Sequence, residues 1–238
     1  MAELNVLYRD SDILVCEKPA GCLSEPGPGR NLPQLAASYL YEAGQTSEIY
    51  TVHRLDKEVG GLMVLARTSE AAGALIGMIA NRTIQKEYYA VLRGVPQAAS
   101  GTWEDLLFHE SGKNKTYVVD RPRKGVRDAK LSYRLIAREG ETSLVRIRLY
   151  TGRTHQIRAQ FSHRALPLLG DVRYGCKDPG CKTALWSAYL RFPHPKTGRV
   201  MTFYQRPPEQ YPWAMFDRGC YTAVSPFGNT TDNTEKEV

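Results

Sequence analysis

Two short apolar stretches, 49–52 (Ile-Tyr-Thr-Val) and 62–66 (Leu-Met-Val-Leu-Ala), enclose the segment His53-Arg54-Leu55-Asp56-Lys57-Glu58-Val59-Gly60-Gly61. Both flanks have the length and apolar content of buried strands, and the paired glycines mark a tight bend between them. This arrangement puts a single carboxylate, Asp56, on a connection between two core strands and between two basic side chains. A rigid scaffold holds a residue so placed in a defined position. Taken alone, Asp56 has an ordinary alternative, a surface ion pair with Arg54 or Lys57.

The rest of the chain sets the context. Its 238 residues, 42% of them hydrophobic, suit one large domain with a proper core. No apolar run approaches membrane-spanning length, and no basic start followed by an apolar stretch marks a secretion signal, so a cytoplasmic protein is expected. The five cysteines form no C-x-x-C pair. Cys176 and Cys181 flank Lys-Asp-Pro-Gly but lack a matching second pair, so reduced thiols are expected and no metal.

The formal charge is +7. The segment 219–238 carries Asp232, Glu235 and Glu237 against Lys236, so the excess belongs to residues 1–218. The polar stretch 229–238 lacks apolar periodicity, and 219–238 reads as a disordered tail. The basic residues gather in two groups, one from Arg121 to Arg138 and one holding Arg146, Arg148, Arg153, Arg158, Arg164 and Arg173. The planar guanidinium donates two parallel hydrogen bonds to phosphate, which makes a polyanion the natural partner.

Turn signals at Lys18-Pro19-Ala20-Gly21 and between Glu25 and Arg30 follow a first strand at 13–15. A helix opens near Pro33 and stops near Gly44; a second, capped by Ser69, bears Ala71, Leu75, Met78 and Ile79 at helical spacing. Strands are expected within 86–94 and over 131–137, 143–149, 184–192 and 200–204, with a short helix over 155–164. In 143–149 Leu144, Arg146 and Arg148 alternate with Ser143, Val145, Ile147 and Leu149, which predicts one wet, basic face. Strands outnumber helices and many connections are hairpin-like. The fold class is α+β around a largely antiparallel sheet.

Three segments combine the rarer reactive residue types: His53-Arg54-Leu55-Asp56, Lys86-Glu87-Tyr88 and Thr151-Gly152-Arg153-Thr154-His155-Gln156-Ile157-Arg158. With the Lys18-Pro19-x-Gly21 opening, Gly170-Asp171-x-x-Tyr174-Gly175 and Leu190-x-Phe192-x-His194-Pro195, their order resembles the RluA-type family of RNA pseudouridine synthases. The resemblance runs from about Ile13 to Phe203. It implies a single catalytic domain over 1–218, a mixed sheet with flanking helices, and an active-site cleft across the sheet. No counterpart of the small N-terminal S4 domain of many relatives is expected.

The resemblance also implies an activity: isomerisation of specific uridines in structured ribosomal or transfer RNA, with extrusion of the target nucleotide. Asp56 matches the family's catalytic aspartate, Tyr88 the tyrosine against the target base, and Arg153 the arginine paired with the catalytic carboxylate. Arg54, Arg146, Arg148 and Arg158 are the expected RNA contacts. The chemistry suits these types: a carboxylate attacks or stabilises a cationic sugar, and an aromatic ring recovers stacking lost on extrusion. No cofactor is needed, because atoms are only rearranged, and a monomer without an obligate protein partner is expected. Where the family has Thr-Ser-Gly after this motif, the chain has Val59-Gly60-Gly61, which removes two hydroxyls beside Asp56.

Three other readings compete. A non-catalytic RNA-binding protein on the same scaffold would not need Asp56, Tyr88 and Arg153 together. A kinase catalytic loop is excluded, since no Gly-rich loop, V-A-I-K strand or D-F-G occurs. A glycosidase of free nucleosides sits poorly with so much arginine.

Overall fold

The computed structural model describes residues 4–46 and 48–228. An open, 11-stranded mixed sheet runs through them, its main path ordered β1-β2-β4-β10-β5-β9-β8-β6-β7. In chain order the strands are β1 (Val6–Arg9), β2 (Ile13–Lys18), β3 (Tyr50–Thr51), β4 (Gly60–Ala66), β5 (Gln85–Arg93), β6 (Ser100–Glu110), β7 (Lys115–Val119), β8 (Val126–Glu139), β9 (Thr142–Leu149), β10 (Leu185–Pro193) and β11 (Val200–Tyr204). Among the described strands only β4 and β10 pair in parallel; the remaining pairs are antiparallel. The helices are α1 (Leu32–Glu42), α2 (Ser69–Ala80) and α3 (Gln156–His163).

Strand alternation divides the core between the two faces of the sheet. One face carries Leu14, Met63, Tyr88, Val145 and Ile147, covered by Leu32, Ala36 and Leu40 of α1 and by Ile157 and Phe161 of α3. On the other face, Ala71, Ala72 and Leu75 of α2 pack on Val15, Leu62 and Val64. Beside them Tyr89, Leu144 and Trp186 are covered by Trp213, Phe216 and Tyr221. β4 is buried along its whole length, which explains its unbroken run of small and apolar residues.

Local signals account for the helix ends. Asn31 accepts a hydrogen bond from the Gln34 amide at 3.0 Å and Pro33 sits in the first turn of α1. α2 is capped by Thr68, which accepts from Ala71, and not by Ser69, its first helical residue. The long β6–β8 hairpins are not marked by the sequence periodicity, and β8 extends well beyond 131–137.

Two expectations are corrected. The Arg146–Arg148 face of β9 is dry: these side chains are 0% and 2% exposed. The expected tail is also not one along 219–228, since that segment crosses this face. Thr222 and Val224 carbonyls accept from Arg146, while the Ser225 hydroxyl and Gly228 carbonyl accept from Arg148. The segment 229–238 lies outside the described residues. Among the described residues no helix is long and apolar enough to cross a membrane.

Candidate active site

A cleft of about 1100 Å³ opens where the 53–59 connection, β5 and the start of α3 meet. Its floor includes Asp56, Tyr88, His155 and Arg158. The connection that carries Asp56 is pinned on both sides of that residue. Ser24 Oγ accepts from the Leu55 amide at 2.9 Å and donates to its carbonyl at 2.7 Å. The Lys57 carbonyl accepts from the Gly21 amide at 2.8 Å and from the buried Lys18 ammonium at 3.2 Å. Lys18 also donates to the carbonyls of Cys22 and Pro19, and burial lowers its pKa to about 8. The Lys-Pro-x-Gly turn is thus the clamp of the Asp56 loop.

Gly60 and Gly61 end that loop where β4 meets β10. Gly61 has φ +112° and a side chain there would collide with Ser187 backbone; one at Gly60 would strike the Trp186 ring at 2.5 Å. Val59 is buried in the core. The indole therefore fills the place of a Ser side chain at position 60, and the Val59 side chain fills that of the Thr.

Asp56 is 25% exposed, and Arg158 Nη1 donates to its Oδ2 at 2.7 Å. No hydrogen bond to Oδ1 is found among the described residues, so this oxygen is free to face the cleft. The other edge of Arg158 is held by Asp171 at 2.6 and 2.8 Å, and Tyr174 lies 5.1 Å from the guanidinium. Burial works against the Arg158 charge, but Asp171 and then Asp56 outweigh it and raise its pKa. This corrects the sequence-based assignment in two ways. Arg158, expected to contact RNA, is the partner of Asp56 inside the cleft. Arg153 lines the cleft but donates through Nε to the Asp128 carbonyl at 2.9 Å. The physical reason is helical phase: Arg158 lies in the buried first turn of α3, whereas Arg153 precedes the helix on an exposed turn.

His155 approaches Asp56 at 3.8 Å, yet burial lowers its pKa to about 4 against the pull of Asp56, so the ring is neutral at pH 7. His53 is a scaffold residue: its Nε2 accepts the Val64 amide at 3.1 Å, and burial, then Lys86, lower its pKa to about 3. Gln156 serves backbone groups, accepting from the Arg153 amide and donating to the Lys130 carbonyl. Tyr88 is 5% exposed; burial and then Asp56 raise its pKa, while a hydrogen bond with Ser187 opposes them. Arg54 stands at the cleft mouth, exposed and paired with Glu25 at 2.8 Å.

Glu87 occupies the opposite face of β5. It accepts from Arg146 Nε at 2.8 Å and from Arg148 Nη2 at 2.7 Å, with all three side chains sealed from water. Arg146 and Arg148 are therefore excluded as RNA contacts. Sequence reading missed Asp171 and this cluster. The signals available were the acid within Gly-Asp-x-x-Tyr-Gly, and Tyr221, Pro226 and Phe227 in a segment otherwise read as tail.

The chain is similar to known proteins in sequence and in fold. A family model described as RNA pseudouridylate synthase matches residues 12–163. The ribosomal large subunit pseudouridine synthase D of Pseudomonas aeruginosa is 32% identical over 231 residues, covering 90% of this chain and 71% of that protein. Its namesake from Haemophilus influenzae is 34% identical over 226 residues, covering 87% and 68%. Among solved structures, human RNA pseudouridylate synthase domain containing 4 superposes with TM-score 0.72 at 21% identity, covering 86% of this chain and 88% of that one. Human RNA pseudouridylate synthase domain containing 1 gives TM-score 0.70 at 23% identity, covering 92% and 88%. These two show the fold.

Proposed function

This chain belongs to the RNA pseudouridylate synthase family and is an isomerase of uridine in RNA, and we propose that it acts on ribosomal RNA with Asp56 as its nucleophile. The names of the bacterial relatives support the substrate. The observation that carries the residue assignment is the Asp56–Arg158–Asp171 chain, which fixes one oxygen of Asp56 and leaves the other toward the cleft.

The reaction breaks the bond from the sugar C1′ to uracil N1 and joins C1′ to C5, with loss of the C5 proton and gain of one at N1. Asp56 Oδ1 attacks C1′, while Arg158 keeps the carboxylate oriented. Tyr88 supplies the aromatic surface for the extruded base, worth about 1–3 kcal/mol. With its pKa raised, Tyr88 rests as a neutral phenol. Forming an ester at Asp56 removes one of the charges that raise it, which eases loss of the phenol proton to solvent in the cleft, and the phenolate then accepts the C5 proton. Arg54 and Arg153, both exposed at the cleft, are the RNA contacts.

Asp56→Asn tests the assignment. The variant is expected to fold and bind RNA, with single-turnover isomerisation reduced at least about 10³-fold, because a neutral amide neither attacks nor stabilises the sugar. Pseudouridine formed at a comparable rate would exclude Asp56. Mapping pseudouridines in ribosomal and transfer RNA from cells with and without the gene tests the substrate; sites lost only outside ribosomal RNA would overturn it.

A further inference from the structure

Among the cations that line the cleft, one on β5 has no counter-charge among the described residues. Lys86 lies two residues before Tyr88 on β5, so both point to the same face of the strand, and both line the cleft. Among the described residues no carboxylate pairs with its ammonium and no hydrogen bond satisfies it. The side chain is half-buried at the cleft wall, and desolvation with no opposing carboxylate lowers its pKa. The nearest cover is backbone: a methyl group at Gly152 would lie 3.4 Å from Nζ. His53, which feels the Lys86 charge, lines the same cleft. Its Nε2 accepts the Val64 amide, so the neutral ring carries its proton on Nδ1, and that buried donor also lacks a partner. Two unsatisfied donors at one end of a polar cleft describe a place for an acceptor.

We propose that Lys86 is a catalytic residue that receives a carbonyl oxygen of the extruded uracil and stabilises the anion formed when the glycosidic bond breaks. This rests on the reading of Asp56 given above. As C1′–N1 breaks, the electron pair passes to the uracil ring and spreads over N1 and the two carbonyl oxygens. The ammonium donates a hydrogen bond to that charge and keeps its own proton. C5 then bonds to C1′ as the Asp56 carboxylate leaves it, the C5 proton departs and N1 is protonated, so nothing beyond substrate and solvent is consumed. A backbone phosphate is the other anion RNA offers. It stays with its strand at the rim, where Arg54 is exposed, whereas Lys86 lies inside, about 7 Å along the strand from Tyr88.

The experiment is Lys86→Met, with Lys86→Gln as a second neutral variant should Met fail to fold. At saturating RNA the single-turnover rate is expected to fall about 10²–10³-fold, as for loss of one preorganised donor. RNA affinity should stay within about threefold and thermal stability should hold or rise, because a half-buried charge without a counter-charge is removed. A target 5-fluorouridine, whose ring anion is already stabilised by fluorine, should shrink the defect in glycosidic cleavage at least tenfold. A variant less stable yet fully active would make Lys86 structural and overturn the proposal. So would an intact saturating rate with weaker binding and a salt slope reduced by about 0.7–0.9, the signature of one lost phosphate contact. If Asp56→Asn is inactive while Lys86→Met is fully active, this inference alone fails; an active Asp56→Asn overturns both.

Discussion

The sheet bears an acid–arginine cluster on each side, and the two are built for opposite ends. On the cleft face Arg158 is shared between Asp171, which is 1% exposed, and Asp56, which is 25% exposed. On the back, Glu87 is shared between Arg146 and Arg148, and none of the three is more than 2% exposed. In the first, two carboxylates compete for one guanidinium and one oxygen of Asp56 is left over. In the second, two guanidinium groups compete for one carboxylate, and the excess is absorbed by carbonyls of the 222–228 segment. An ion-pair cluster sealed from water gives structure; an ion pair with one oxygen left unengaged at a cleft gives a reagent. The two clusters meet on neighbouring residues of β5, Glu87 pointing back and Tyr88 forward.

The strongest way to break this contrast is Asp171→Asn. It removes the charge from the sealed end of the cleft cluster, leaving Arg158 with Asp56 alone. Loss of one partner from a buried ion pair costs about 3–5 kcal/mol. Here turnover should also fall, because the guanidinium that orients Asp56 is no longer held. Denaturant unfolding and single-turnover rates measure the two effects; a destabilised enzyme with an unaltered rate would show that Asp171 does not act through Arg158.

Glu87→Gln sharpens the contrast from the other side. Stability should fall by a similar amount, about 3–5 kcal/mol, since two buried arginines lose their counter-charge. The saturating rate of the folded fraction should remain within about threefold, a figure set by ordinary non-additive coupling between neighbours. A large drop in that rate would mean that the back cluster positions Tyr88 and Lys86, and the division between faces would fail.

The smallest effect is a pH dependence that only the cleft cluster has, because only it includes a histidine. His155 has a folded pKa of about 4, depressed below the unfolded value of about 6.5. Below pH 6.5 the unfolded chain takes up a proton that the folded chain refuses until about pH 4. Stability present above pH 6.5 is therefore lost as pH falls, by up to about 1.4 kcal/mol per pH unit across that window. His155→Asn should flatten the slope in thermal melts between pH 6.5 and 4. Asparagine tolerates the left-handed backbone at this position, φ 52°. An unchanged slope would assign the pH dependence to other groups.

Much of this protein is determined by its sequence alone. Apolar run length and turn residues place the strands flanking Asp56, Pro33 opens α1 within a residue, and the order of three short motifs identifies the chemistry. Each is a local property, expressed wherever the chain goes. Tertiary structure decided which arginine meets which acid. Arg153 and Arg158 sit in one motif, and only the docking of α3 on the sheet sends Arg158 inward to Asp56 and Asp171. Arg146 and Arg148 alternate like a wet strand face, and only the return of residues 221–228 over β9 makes that face dry. Gly60 looked like a lost hydroxyl until Trp186, far along the chain, filled its place. Period and propensity are carried by neighbours in sequence, whereas burial and charge pairing are set by partners farther along the chain, 102 residues away for Asp56 and Arg158, and no local pattern encodes them.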